Sequence, residues 1–516
     1  MGKNNQSFAN KIVKNAVFSW IHYGFSTLVS IGLIPYILKH LGDSMYGVWV
    51  LVGTFLGYFG FLDFGLSKAV MRFVSKSIGQ DEHDHGDKWI IAALYLYSVL
   101  AVIGIGISII VWMITGYVIH DQHNAAIISF VFFIAGIAFS ITLPTTICFS
   151  GILEAHLRRD IISAIQFIIT LLRALAIVYL IHKNHSIVSM VLATSSLSVI
   201  QGLATVYYGI KIHGKLLLRR PTLPRSDWKV FIGYALSSFS SQIADIIRFK
   251  SSPLIIASYL GLSAVAPFEI AEKLSKSIVS LTNNVLMNLT PAFSQIEGSG
   301  SLESNNYLRN TFQFSMKISC YLATLTVGQL FVLSEPFIIR WIGIKYIDVI
   351  TLLKILLSGY FFAIIQIPTT CMLFATSRQK YYAFTNLIQA VTTIALSIIM
   401  VIHYGLLGVA IGVAFPAFIV KVFIQPLGIT SALELSVWKF HRIYMIPNLI
   451  APLIYIIALY YISKYFCTPE YSVIIIIATI STLLFIPYIY SFGFTKNERL
   501  IFQRVIYRFL RISERS

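Results

Sequence analysis

Residues 161–181 read IISAIQFIITLLRALAIVYLI. Only Ser163, Gln166, Thr170 and Arg173 break an otherwise apolar run. A bilayer core about 30 Å thick takes roughly 20 such residues as one α-helix. A barrel strand would need only about 10 residues of strict alternation. The stretch therefore reads as a transmembrane helix, and one that carries a guanidinium near its middle.

Working outward, thirteen more stretches of this kind follow the same rule. They cover 16–38, 45–66, 89–118, 125–151, 187–209, 231–259, 264–292, 312–334, 351–375, 382–402, 405–426, 443–463 and 472–491. The first is too long for a signal peptide, and no small-residue cleavage site follows it. Composition agrees: the 516 residues are 57% hydrophobic and 12% charged. A soluble chain carries about 25% charged residues to cover its core. The expected fold class is an all-α polytopic membrane protein with fourteen transmembrane helices. Soluble enzymes, disulfide scaffolds and disordered chains are excluded. Cys148, Cys320, Cys371 and Cys467 form no CxxC pair and carry no redox or metal signal.

Lysine and arginine outnumber the acids 39 to 21, a net charge of +18. In a soluble domain that excess would suggest nucleic acid. Here the basic residues sort by side, which is the cytoplasmic bias of membrane loops. Lys3, Lys11 and Lys14 share a side with Lys68, Arg72, Lys76, Lys88, Arg158, Arg159 and the cluster from Lys211 to Lys229. Few fall opposite: Lys39, Lys183, Arg340, Lys345 and Lys464. Both termini are expected in the cytoplasm, with no nucleic-acid partner. Residues 496–511 form a basic amphipathic segment suited to the inner leaflet.

The chain repeats itself. Leu41-Gly42-x-Ser44 returns as Leu260-Gly261-x-Ser263. Pro144-Thr145-Thr146 returns as Pro368-Thr369-Thr370, Ile181-His182 as Ile402-His403, and Pro35 as Pro253. The four matches fall in the same order and at a nearly constant offset, which implies duplication of a six-helix half. The expected organisation is an N-terminal lobe (1–210), a cytoplasmic linker (211–230), a C-terminal lobe (231–430), two further helices (431–491) and a basic tail (492–516). Six spans per half make the halves parallel repeats, an arrangement that in transporters encloses a cavity able to open to either side.

Ionisable groups inside a membrane cost about 2.5–3.5 kcal/mol each even on the lenient insertion scale, so they mark candidate sites. Arg173 shares a face with Gln166 and Thr170. In 231–259, Ser238, Ser241, Asp245, Arg248 and Ser252 form one polar stripe. Lys250 lies roughly 140° from Asp245 at about 100° per residue, off that stripe. In 264–292, Glu269, Glu272, Lys273 and Lys276 offer Glu269–Lys273 and Glu272–Lys276 as i,i+4 pairs. His22 lies among Ser19, Tyr23, Ser26 and Ser30 on the first helix. Asp63 and Arg72 sit at the inner end of the second, Asp63 as a helix-end or gate contact and Arg72 as a portal candidate. Asp245–Arg248 also reads as a self-neutralising pair, and the 269–276 cluster as a salt-bridge network. Arg173 has no acid on its own helix and either pairs across helices or meets a ligand anion. Deep arginines suit phosphate, which they bind bidentately.

The segment from Pro35 to Trp49, PYILKHLGDSMYGVW, followed by Leu62-Asp63-Phe64-Gly65-Leu66 and Arg72, resembles the N-terminal signature of Wzx/RfbX-type polysaccharide (O-antigen) repeat-unit flippases. These belong to the multidrug/oligosaccharidyl-lipid/polysaccharide exporter superfamily. The resemblance implies translocation of an undecaprenyl-pyrophosphate-linked oligosaccharide from the cytoplasmic to the outer leaflet of a bacterial inner membrane. It implies a cationic lumen, with Arg173, Arg248 and Lys250 as candidates, together with His22, Lys273 and Lys276, and Arg72 at the portal. Partners would be membrane lipids and the polymerase and chain-length regulator of the same pathway. Asp245 and Glu269 depart from a purely cationic lumen and leave room for H⁺ or Na⁺ coupling, with no other cofactor.

Two rivals share this fold: a drug/cation antiporter, which needs exposed carboxylates, and a lipid II flippase. A membrane glycosyltransferase or polymerase needs a large outer loop for catalysis. The longest outer segment is only about 335–350, so no enzyme is expected. Asp81-Glu-His-Asp-His85 reads as a solvated loop, and Gly104-x-Gly106 as close helix packing. No Walker sequence is present, so ATP does not drive transport directly.

Overall fold

Backbone in hydrocarbon must satisfy its own hydrogen bonds, and every regular element among the described residues is helical. The structure is a computed structural model that describes residues 2–80, 83–118, 122–183, 186–214, 224–287, 289–298, 302–430, 436–495 and 498–499. Most of the tail beyond 495 therefore lies outside the described residues. The chain divides into two compact units, Met1–Ala266 and Pro267–Ser516.

Unit 1 opens with α1 (Gly2–Phe59), a 58-residue rod that contains Pro35 and breaks at Gly42, where φ is 75° and ψ 174°. A 3-10 turn, Gly60–Asp63, ends on two left-handed residues, Phe64 and Gly65. Gly65 is required twice over. Its φ is 73°, and a Cβ there would meet the Phe239 amide nitrogen at 2.9 Å. The chain then runs through α2 (Leu66–Gly79), α3 (His83–Val118) and α4 (Gln122–Thr142). Pro144 removes a backbone donor, and the helix absorbs this as a π turn, Leu143–Ile147. After it come α5 (Cys148–Ala155), α6 (Arg159–His182), α7 (Ile187–His213) and α8 (Arg225–Leu260). The core joins Phe59, Val70, Val74, Tyr97, Ile152 and Phe231. Asn15 pins the start of α6 to α1: its Nδ2 donates to the Leu157 carbonyl, and its Oδ1 accepts from the Asp160 amide, both at 2.9 Å.

The helix α9 (Leu262–Leu286) straddles the division. Unit 2 continues with α10 (Leu289–Gly298), α11 (Leu302–Ala323), α12 (Gln329–Trp341), α13 (Asp348–Ile365) and α14 (Ile367–Ala375). Then α15 (Gln379–Ile419) breaks at Gly405 and passes through a π turn, Val420–Ile424, into α16 (Gln425–Thr430). Short α17 (Val437–Phe440) leads to α18 (Ile446–Phe466) and α19 (Tyr471–Tyr488). Tyr321, Leu333, Tyr455, Leu459 and Phe485 form the core that joins these last helices to α11 and α12. Gln329 reinforces it, its Nε2 lying 2.7 Å from Thr482 Oγ1 and 2.8 Å from the Tyr455 hydroxyl.

Positions paired by the sequence repeat share backbone conformations. Gly42 and Gly261 share one conformation, φ 75° and ψ 174° against φ 88° and ψ 173°. Leu157 and Ser377 form a second pair at nearly the same spacing, and both turn left-handed, at φ 56° and 57°. In each turn the next residue bonds back to the preceding helix: Arg158 to the Leu153 carbonyl at 2.9 Å, and Arg378 to the Leu373 carbonyl at 2.7 Å.

Ten stretches are long and apolar enough to cross a membrane. Two of them, Val17–Asp63 and Gln379–Thr430, hold two crossings each, divided at Gly42 and Gly405. Helices α8 and α9 also have spanning length, 36 and 25 residues. With them, each of the fourteen expected spans has a helix.

Candidate functional site

A cavity of about 510 Å³ opens inside unit 1, walled by α1, α4, the Leu143–Ile147 turn, α6 and α7. Its apolar side carries Trp49, Leu56, Phe139 and Ile177; its polar side carries Thr142, Thr146, Thr194, Ser195, Ser198 and Gln201. Among the described residues, Arg173 is its only charged lining residue. Thr142, at the end of α4, and Thr146, within the π turn, both line it.

The Arg173 side chain is held from one edge. Its Nη2 donates to the Ser198 hydroxyl at 2.7 Å, and that hydroxyl donates onward to the Thr194 carbonyl at 2.9 Å. Arg173 Nε is buried and has no hydrogen-bond partner among the described residues, and neither has Thr146 Oγ1. A guanidinium has five donors and no acceptor. Leaving one buried and unmade costs about 1–3 kcal/mol, more for a charged group. The alternatives open for Arg173 were an acid across helices or a ligand anion, and the partner across the helices is a neutral hydroxyl.

The other expected residues are dispersed. Asp63 is buried and committed, accepting from the Ser67 amide at 3.2 Å, the Ser67 hydroxyl at 2.9 Å and the Tyr97 hydroxyl at 2.5 Å. It caps the start of α2, where helix dipole and free amides favour a carboxylate. Arg72 is exposed and stacks over the Tyr234 ring at 4.3 Å. His22 is half-buried on α1. Lys250 is half-buried on α8 and lies against α1, so that a Cβ at Gly57 would come within 2.7 Å of its Cε. The side chains of Asp245 and Arg248 lie outside the described residues; their backbones are helical within α8. Glu269 and Lys273 are half-buried on α9. Lys276 pairs with the buried Glu272 at 2.8 Å, the i,i+4 bridge anticipated from spacing. The loop residues Asp81 and Glu82 lie outside the described residues, as do the side chains of His83, Asp84 and His85.

Sequence reading missed two polar groupings. In unit 2, buried Lys421 donates to Gln425 Oε1 at 2.7 Å, and Gln425 Nε2 donates to the Thr370 hydroxyl at 2.7 Å. Gln366 Nε2 beside them is buried with no partner among the described residues. Thr146 and Gln201 of the unit 1 cavity correspond to Thr370 and Gln425 at the same offset as the Pro-Thr-Thr repeat, and that signal could have found both clusters. In unit 1, His156 and His213 bond ring to ring at 2.9 Å, and His213 bonds Asp87 at 2.8 Å. This chain ties ends of α3, α5 and α7 together.

The fold is shared with known carriers. It matches a lipid II flippase MurJ in an inward closed conformation with a TM-score of 0.71 at 15% identity, over 92% of this chain and 99% of that one. An inward-facing multidrug resistance MATE family transporter of the MOP superfamily matches with a TM-score of 0.65 at 17% identity, over 81% and 99%. Both likenesses show that the chain shares this all-helical membrane fold. A "Putative O-antigen transporter" of Shigella flexneri is 25% identical over 414 residues, 78% of this chain and 93% of that protein. Residues 12–297, more than half of the chain, match the polysaccharide biosynthesis protein family, and the chain belongs to that family.

Proposed function

We propose that the protein is a flippase that moves an undecaprenyl-pyrophosphate-linked oligosaccharide repeat unit from the cytoplasmic to the outer leaflet of a bacterial inner membrane. The observation that carries this reading is the cavity around Arg173: a lone guanidinium, hydroxyl groups and an indole, all enclosed by apolar spans. Sugars need hydroxyl and amide partners on their edges and an apolar surface on their faces. Anionic headgroups need a desolvated cation. The O-antigen transporter of similar sequence supports the same substrate class.

The headgroup passes through the protein while the lipid tail stays in the bilayer. Arg72, exposed midway along α2, meets the phosphates on arrival. Among the described residues no carboxylate lines this cavity, which favours an anionic ligand there over an organic cation.

The test is complementation in a strain lacking its own repeat-unit exporter. Restored surface polysaccharide supports the flippase. Export of organic cations without any change in lipid-linked sugar would overturn it.

A further inference from the structure

The charge balance of the unit 1 cavity limits what can sit beside Arg173. Among the described residues it is the single charged group in the lining, and its Nε is buried without a partner. A desolvated cation is stabilised by one opposite charge; further negative charge would stay uncompensated in a low-dielectric site. A pyrophosphate carries at least two charges and fits poorly. A carboxylate carries one, and its two oxygens match the edge formed by Nε and one terminal nitrogen. Ser198 holds Nη2 through its own anchored hydroxyl and so fixes that edge in place.

The rest of the wall says what bears the carboxylate. At about 510 Å³ the cavity falls in the range of roughly 300–1,000 Å³ that encloses a small organic ligand. The half-buried Trp49 offers a flat apolar surface for the C–H face of a pyranose ring. The unpartnered Thr146 hydroxyl and the Gln201 amide offer bonds to ring hydroxyls. We infer that this cavity is a subsite for a carboxylate-bearing sugar, a hexuronate, within the translocated headgroup. The inference rests on the flippase reading for its source of sugar, and it leaves the phosphates to cations elsewhere.

The test uses the full chain in lipid nanodiscs, titrated with glucuronate, glucose, acetate, chloride and inorganic pyrophosphate. Binding is read calorimetrically and by tryptophan fluorescence. Glucuronate should bind saturably and change the fluorescence of wild type but not of Trp49→Phe. Arg173→Gln should lose roughly tenfold or more in affinity, the scale of one charge-assisted bond. Arg173→Lys, which keeps the charge but loses the fork, should fall between. Thr146→Val should weaken glucuronate and leave acetate unchanged. Pyrophosphate binding as tightly as glucuronate in an Arg173-dependent way would overturn the inference. So would acetate or chloride matching glucuronate, which would mean a general anion site, and so would no glucuronate binding at all. Variants are compared only after their thermal transitions match wild type. Export assays on the same variants separate the two readings: lost glucuronate binding with full export sinks the subsite alone, whereas intact binding with no export by wild type sinks the flippase alone.

Discussion

Gly42 and Gly261 occupy matching places in the two repeats and hold the same left-handed, extended backbone, each between two long helices. This conformation is close to glycine-only. Both bends therefore call for glycine. Each substitution to alanine should cost about 1–3 kcal/mol. Thermal unfolding in detergent checks this; a control at Gly32, in helix with open space around it, should change far less.

Asp63 depends on Tyr97. The Tyr97→Phe change removes one of three donors from a buried carboxylate, and the loss should be about 1–3 kcal/mol in stability. If Asp63 only caps α2, the variant exports normally once folded. Reduced export at matched protein levels would instead show that Asp63 works as a gate.

Cysteine labelling tests the topology. Cys148, Cys320 and Cys371 are buried, whereas Cys467 is half-exposed between α18 and α19. Burial pushes the Cys467 thiol above its ordinary pKa, with a Ser463 hydrogen bond opposing, so alkylation should be slow at neutral pH and faster in alkali. From the basic-residue bias it is expected on the outer side. An impermeant maleimide should label Cys467 in intact cells, and the Cys467→Ser variant should take up none.

The buried Lys421–Gln425–Thr370 chain is a packing device of unit 2. Replacing Gln425 with leucine removes an acceptor 2.7 Å from the Lys421 ammonium and should destabilise by about 1–3 kcal/mol or more. Gln425→Glu keeps an acceptor and should be tolerated better. Limited proteolysis of the membrane-embedded protein would distinguish them.

The spans and the repeat were legible because both are local signals. An unbroken apolar run announces a helix wherever it packs, and Leu-Gly-x-Ser reads the same twice. The i,i+4 pair Glu272–Lys276 was legible for the same reason. The cavity was not. Arg173 stood out by its cost, but Ser198 lies 25 residues away on another helix, and a serine in an apolar run looks like any helix-packing serine. The stripe on α8 drew attention by its spacing alone, and periodicity shows which residues share a face but not what that face meets. Asp63 read as a helix-end or gate contact, and its donors, from Ser67 in the first turn of α2 and from Tyr97 on α3, were not legible from position alone.

The central claim is that Arg173 handles an anionic, lipid-linked sugar in transit across the membrane. The direct measurement follows radiolabelled lipid-linked repeat units in membrane vesicles and scores the fraction reachable from the outer leaflet. Wild type should move the label outward, and Arg173→Gln should leave it on the inner leaflet, with the protein inserted and folded in both. Equal outward movement by wild type and Arg173→Gln would contradict the account.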